Sequence, residues 1–169
     1  MFTLPLSLLY IWGATLSINF FRKNQMNRLF FLFVAFAMGL VSVFAQSDKI
    51  VGDYKCEHNG VKSKVRIFKH SDGYRAQVTW VSNLKNEDGT IRTDVKNPDA
   101  SKRNVRADQI VLIDKVTFDG EDKWKDGKIY DPTSGKEYTV TLYFKDDKTL
   151  TVKGSIGPLF KRMYWTKVG

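Results

Sequence analysis

The stretch Trp124–Ile156 reads WKDGKIYDPTSGKEYTVTLYFKDDKTLTVKGSI, with apolar residues at every second position of its middle part. The turn sequences DPTSG at 131–135 and KDDK at 145–148 divide it into three segments. Pro132 presets the backbone of the first turn, and Gly135 accepts a positive φ where the chain leaves it. Alternation with period two is typical of strands that bury one face. The stretch therefore predicts three antiparallel strands joined by two tight turns.

Five further segments show strand character and surround this stretch on both sides. They are residues 50–57, 61–69, 74–82, 109–118 and 162–168. Asn59-Gly60 is a strong hairpin signal between the first two of them. About eight short strands with hairpin connections predict an all-β, antiparallel up-and-down barrel, because closure leaves no unpaired edge. A barrel of this size is either filled by side chains or wide enough for one small ligand.

The segment 83–108 breaks the strand rhythm with six Lys or Arg, five Asp or Glu and few apolar residues. Within it, Asn97-Pro98-Asp99-Ala100 predicts the start of one short helix, with Pro at the first helical position. Connections this long are usually functional or mobile. Two interpretations stay open, a loop over one mouth of the barrel and a solvated insertion without a role.

The N-terminal part of the chain carries an export signal. Residues 26–45 combine Arg28, an apolar core and Val43-Phe44-Ala45 before Gln46, which predicts a cleaved signal peptide. We expect residues 1–25 to be a start-site over-call, with a membrane hairpin of two apolar runs as the alternative. Residues 46–169 would then be a single barrel domain without a stable membrane span, located in the periplasm or, alternatively, secreted.

The charge balance is basic throughout. The chain has a net charge of +9, and because three of its 27 Lys and Arg precede Gln46, residues 46–169 hold 24 against 18 acids, or +6. For an exported protein this favours an anionic envelope surface, or plain solubility, over nucleic acid. Apolar residues alternate with Lys62, Lys64 and Arg66, so we expect these three side chains on the solvent-exposed face of a strand. Cys56 is the only cysteine, so it is either a buried thiol or an intermolecular bridge.

No arrangement of residues predicts catalysis. The two histidines, His58 and His70, stand beside turns, and neither a nucleophile elbow nor a Gly-rich phosphate loop occurs in the sequence. Asp119, Glu121 and Asp122 lie in and beside another turn without the spacing of a calcium loop. We therefore expect no enzymatic activity, no cofactor and no metal site.

Aromatic residues on the inner faces of the predicted strands are the remaining feature. They are Tyr54, Trp80, Trp124, Tyr138, Phe144 and Trp165. One interpretation is that they fill the barrel as its core, since small barrels usually pack solid. The other is that they line an apolar ligand pocket at one mouth, beside the 83–108 segment.

Several motifs resemble a known family. They are I-V-G-x-Y at 50–54, W-x-x-G-x-I-x-D-P-x-x-G-x-x-Y at 124–138, L-x-V-x-G-x-x-G at 150–157 and W-T-x-V at 165–168. Together they resemble the bacterial domain-of-unknown-function family number 2147, a set of exported proteins with a lipocalin-like barrel. Two departures occur: Tyr54 stands where the family often has Trp, and the cysteine pair that some members carry after Asn97-Pro98 is absent.

The resemblance implies a fold and a compartment but transfers no activity. It favours a binder of a small apolar or amphipathic molecule held inside the barrel. The alternative is a non-enzymatic envelope module that binds a partner protein or an anionic surface through the basic outer face at Lys62, Lys64 and Arg66. A hydrolase would need a pocket in which His70 and an Asp lie within hydrogen-bond reach.

Overall fold

A computed structural model describes residues 46–169, which form one compact unit. The predicted signal peptide at 26–45 and the predicted over-call at 1–25 lie outside the described residues. No helix among residues 46–169 has the length and apolar character needed to cross a membrane.

Eight antiparallel strands follow one another around a closed barrel. They are β1 Gly52–His58, β2 Val61–His70, β3 Gly73–Val81, β4 Val111–Phe118, β5 Lys123–Asp131, β6 Lys136–Phe144, β7 Thr149–Ile156 and β8 Leu159–Val168. Each strand pairs with its neighbours in sequence, and β8 returns to pair with β1 through Lys55↔Thr166 and Asp53↔Val168. The predicted all-β up-and-down barrel is thereby confirmed.

The hairpin turns have the backbone geometry that their residues favour. Asn59 and Gly60 both have positive φ, 49° and 77°, as the two central residues of a type I′ turn require. Gly135 has φ 69° at the end of the β5–β6 turn, where the sequence predicted it. These turns fix the register, so that alternate residues of each strand face the barrel interior.

Gly127 in β5 is required for a close approach between strands. A Cβ atom at this position would lie 1.9 Å from the Lys115 carbonyl oxygen of β4. The register of β5 against β6 shifts between Trp124 and Gly127, and Asp126 inside this bulge has φ 63°. The glycine of the W-x-x-G motif thus allows β5 to bulge against β4 without a steric clash.

The segment between β3 and β4 contains two short 3-10 helices, Ala100–Lys102 and Ala107–Gln109. The first confirms the predicted short helix, although its cap is Asp99, whose carboxylate accepts a hydrogen bond from Ser101 N at 3.0 Å. Asn97, the predicted cap, instead accepts from Asp99 N and shapes the preceding turn. The second 3-10 helix was not predicted.

Candidate ligand-binding cavity

The barrel interior contains a cavity of about 1000 Å³ that opens at one end, here called the mouth. The β1–β2, β5–β6 and β7–β8 turns border the mouth, together with the segment 83–110. The apolar lining of the cavity includes six side chains of the strands and of the residue before β4: Val78, Ile110, Leu112, Ile129, Met163 and Trp165. The volume lies at the upper end of the range for small-molecule sites.

The opposite end of the barrel, here called the floor, is closed by residues 46–51. Ile50 is fully buried, and the Tyr54 hydroxyl donates a hydrogen bond to the Ile50 carbonyl at 2.6 Å. The indole N–H of Trp124 donates to the Ser47 carbonyl at 3.0 Å. Burial raises the pKa of Tyr54, so its hydroxyl stays a neutral donor. The cavity is therefore a pocket with one opening and not a channel.

Three of the six aromatic residues predicted to line a pocket lie in the floor. The Trp124 ring contacts Phe118 and Phe144, with centroids 5.1 and 6.0 Å away, and Tyr54 is fully buried. Tyr54, Trp124 and Phe144 do not border the cavity. For these residues the structure supports the core interpretation.

Tyr138 and Trp165 do border the cavity. Tyr138 on β6 is half-buried, and Trp165 on β8 is 2% exposed. The Trp165 ring lies 6.3 Å from that of Tyr54, so Trp165 forms the boundary between the floor and the open space. Sequence alternation alone placed both side chains on the inner surface.

Trp80 does not face the interior, and this part of the prediction is wrong. Its side chain is 45% exposed and packs on the outside, with the Lys64 ammonium 5.8 Å from the ring centroid. Val65 pairs with Val78 but Lys64 pairs with Trp80, so Thr79 is an extra residue in β3. This bulge shifts the alternation by one position and turns Trp80 outward.

The segment 83–108 is held against the barrel by one buried and one exposed polar contact. Asp94 is 3% exposed and accepts hydrogen bonds of 2.7 Å from the Tyr130 hydroxyl and from the Asn97 amide. Burial, followed by the hydrogen bond to Asp94, raises the pKa of Tyr130. Lys96 Nζ donates to the Thr133 carbonyl at 2.6 Å. Because these contacts join it to β5 and the β5–β6 turn, the segment forms one wall of the mouth.

Polar groups line part of the cavity. The Cys56 thiol lies 3.2 Å from the Ser63 hydroxyl, and burial raises the pKa of Cys56. At the mouth, burial works to raise the pKa of Asp131, but hydrogen bonds from Thr133 and Ser134 outweigh it and lower that pKa. The Asp131 carboxylate is thus already occupied by its own turn.

Three cations border the mouth: Arg92, Lys96 and Lys161. Among residues 46–169, none of them lies within ion-pair distance of a carboxylate. Asp131 carries the one carboxylate among the lining residues, and the imidazole of His58 also borders the cavity. The mouth therefore carries an excess of positive charge.

Sequence reasoning did not assign Cys56, Ser63 or Met163 to the lining. A signal for them was present, because Cys56 is two residues beyond Tyr54, and Met163 is two before Trp165. Side chains two apart on a strand share a face.

The carboxylates of Asp119, Glu121 and Asp122 approach within 4.8 Å of one another in the β4–β5 turn, away from the cavity. Asp119 accepts hydrogen bonds from the Glu121 and Lys123 backbone N–H groups, and these bonds lower its pKa. The cluster is thus accounted for by the turn. His70, at the end of β2 next to the β2–β3 turn, is not among the residues that line this cavity.

The fold and sequence are similar to those of known proteins. A structure titled "Protein HP1028 from the human pathogen Helicobacter pylori belongs to the lipocalin family" is 24% identical, with a TM-score of 0.58, covering 71% of this chain and 83% of that one. This likeness shows a lipocalin-like fold. No curated protein matches the sequence. The profile of a bacterial family matches residues 52–167, from the start of β1 to the penultimate residue of β8. The chain therefore belongs to the family described as "Uncharacterized protein conserved in bacteria (DUF2147)".

Proposed function

We propose that this protein binds one small apolar or amphipathic molecule inside its barrel. The observation that carries the proposal is the cavity of about 1000 Å³, closed at the floor and open at the mouth. Small-molecule sites are typically concave, mostly apolar and largely preformed. A rigid closed barrel meets these conditions without a conformational change.

The chemistry of the lining favours an amphiphile with an anionic head. Wall residues such as Leu112, Ile129 and Met163 offer an apolar surface to a hydrocarbon body. Arg92 and Lys161 stand at the opening without carboxylate partners among residues 46–169, where an acidic head group would replace water as their counter-charge. The ligand would thus lie with its apolar end on Trp165 and its head at the mouth.

Binding, without chemical conversion, is the activity that these groups support. His58 and Asp131 both border the cavity, but no hydrogen bond joins them, and Asp131 is engaged by Thr133 and Ser134. The thiol of Cys56 has a raised pKa, which lowers its thiolate fraction and its nucleophilicity. We place this binder in the periplasm, on the basis of the export signal at residues 26–45.

Two measurements test the proposal. Native mass spectrometry of protein isolated from its own cells should show an added mass that disappears on denaturation. Titration with an environment-sensitive fatty-acid probe should saturate at about one equivalent and change the fluorescence of Trp165, which borders the cavity. A bare polypeptide mass from the native source, together with no saturable probe binding, would refute ligand binding.

A second candidate is binding of an envelope partner or an anionic surface through the outer face of β2. Lys62 and Lys64 are exposed there without ion pairs among residues 46–169, whereas Arg66 is engaged by Asp53 at 2.8 Å. Trp80, half-exposed beside Lys64, adds an aromatic anchor of the kind that interfaces favour. Capture from envelope extracts should weaken with salt and in Lys62→Gln/Lys64→Gln; salt-independent capture would count against it.

A further inference from the structure

The β7–β8 turn exposes apolar side chains at the mouth. Ile156, Leu159 and Phe160 are 59%, 71% and 52% exposed. The two residues between the strands are Gly157, with φ 54°, and Pro158, whose ring fixes its own φ. Gly at the first central position of a two-residue loop is the pattern of a type II′ hairpin turn. These residues therefore form a stiff apolar tip that the fold does not cover.

Cations flank this tip. The Lys153 ammonium lies 4.7 Å from the centroid of the Phe160 ring, and the Arg162 guanidinium lies 4.6 Å from it. With Lys161, the segment 153–162 carries three cations and no acid. Among residues 46–169, none of the three forms an ion pair with a carboxylate. The tip therefore combines exposed hydrophobic surface with uncompensated positive charge.

A second part of the mouth has the same character. Ile91 and Val95, from the segment 83–108, are 38% and 70% exposed and border the same cavity as the tip. Arg92 and Lys96 each follow one of these residues in the sequence. The carboxylate between the two cations, that of Asp94, is buried and accepts a hydrogen bond from the Tyr130 hydroxyl. Glu87 and Asp88 belong to the adjoining Asn86–Thr90 turn, where the Asp88 carboxylate is bonded to Thr90. Of these two apolar parts of the mouth, the β7–β8 tip is thus the one whose own segment, 153–162, contains no acidic residue.

We propose that the mouth docks on the surface of an anionic lipid bilayer, with Ile156, Leu159 and Phe160 entering the head-group boundary. Lys153 and Arg162 would meet the anionic head groups on either side of Phe160. Exposed apolar side chains ringed by Lys and Arg have the composition of surfaces that bind anionic membranes peripherally. Docking would place the cavity opening against the lipid, with no change in the barrel.

The charges argue for a bilayer over a second copy of this chain. Two tips brought together would oppose Lys153, Lys161 and Arg162 with their own copies, which like-charge repulsion disfavours. The tip is also a protruding hairpin. A second copy would have to offer a surface of complementary shape to it, whereas a bilayer accepts apolar side chains without shape complementarity. Ile156, Leu159 and Phe160 also border the cavity, whereas Lys153 and Arg162 do not, so substitution of these two cations tests docking separately from the proposed ligand site.

The test is vesicle co-sedimentation of the protein, expressed from its full-length coding sequence and purified as the cell processes it. We expect binding to vesicles of phosphatidylcholine with phosphatidylglycerol and little binding to phosphatidylcholine alone. Lys153→Gln/Arg162→Gln should weaken the partition coefficient by about twenty-fivefold, since each cation near an anionic surface contributes about fivefold. Leu159→Ser/Phe160→Ser should weaken it at least tenfold by removing apolar area from the lipid boundary.

The matched control is Lys145→Gln/Lys148→Gln, which removes the same charge from the exposed β6–β7 turn at the floor end and should change the partition less than twofold. In Phe160→Trp, lipids brominated along the acyl chain should quench the added fluorescence, which a purely electrostatic contact would not allow. Three results would overturn the proposal. They are a lack of binding to anionic vesicles, an equal loss of binding in the control variant, and a dimer that forms without lipid and is abolished by Leu159→Ser/Phe160→Ser. Probe binding that persists while vesicle binding fails would refute docking and leave the proposed ligand site intact.

Discussion

Filling the cavity from Gly154 is the sharpest test of the ligand site. Gly154 borders the cavity on β7, between the turn and the floor, and pairs with Val140 and Lys161. A Cβ atom there would lie 3.5 Å from Ile129 Cγ2 and 3.6 Å from Tyr138 Cβ, which is ordinary van der Waals contact. The position thus accepts a side chain, and a larger one would extend into open space.

The expected loss of affinity follows from the volume that the new side chain takes. In Gly154→Phe a benzyl group occupies space that ligand atoms would otherwise fill. At about 0.3 kcal/mol for each ligand atom displaced, a group of that size costs about 2 kcal/mol, or about a thirtyfold rise in Kd. Gly154→Ala is the matched control: it should leave Kd within about threefold and leave stability unchanged or raised by about 0.5 kcal/mol.

The assay is fluorescence titration with a fatty-acid probe, alongside urea unfolding of the same variants. The reasoning predicts that Gly154→Phe keeps the unfolding transition of a closed barrel while it loses the probe. Unchanged probe affinity in a folded Gly154→Phe would show that the probe binds elsewhere and that the cavity is not the site. Equal losses in both variants would show that strand geometry, not free volume, sets the affinity.

Three further predictions concern stability and are checked by urea unfolding. Gly127→Ala should lower the free energy of unfolding by about 2 kcal/mol or more, because the added methyl group would overlap a β4 carbonyl; wild-type stability would contradict the strand contact. Tyr130→Phe should cost about 1–3 kcal/mol by leaving the buried Asp94 carboxylate one donor short, whereas a neutral effect would mean that water replaces the donor. Lys69, through its hydrogen bond, lowers the pKa of Asp48 in the folded state, so this stabilisation is complete above about pH 4 and is lost as pH falls below it. Asp48→Asn should therefore lose less stability than wild type between pH 6 and pH 3, and equal losses would show that other carboxylates dominate.

The fold could be predicted because its determinants are local. Turn residues such as Asn59 and Gly60 fix the register of a hairpin, and alternation then assigns the inner face of both strands. Tyr138 and Trp165 follow from this logic, since the strands that carry them belong to the regular hairpins β6–β7 and β7–β8. A chain built of successive hairpins leaves few other topologies to choose from.

The site could be predicted only in part because its determinants are not local. Trp80 points outward because β3 contains one extra residue. No glycine or other bulge signal lies next to Thr79 in the sequence, so this bulge could not be predicted. Which aromatic rings border open space depends on which end of the barrel is closed. That is decided by contacts such as Trp124 with Ser47, which are 77 residues apart. Inner-face residues near residues 46–51 become floor, and those far from them become lining.

The two ends of the barrel thus have separable physical roles. At the floor, buried aromatic rings and the donors of Tyr54 and Trp124 close the core, so substitutions there should change the free energy of unfolding first. At the mouth, the protein keeps features that do not favour folding: a volume that its own side chains do not fill, uncompensated cations and the exposed Leu159 and Phe160. Empty volume and exposed hydrophobic surface both lower stability relative to a filled, covered barrel. The buried Asp94–Tyr130 contact holds the segment 83–108 beside this opening instead of letting it cover the cavity. A barrel that is open at one end, against the tendency of small barrels to pack solid, is the arrangement that the proposed ligand site requires.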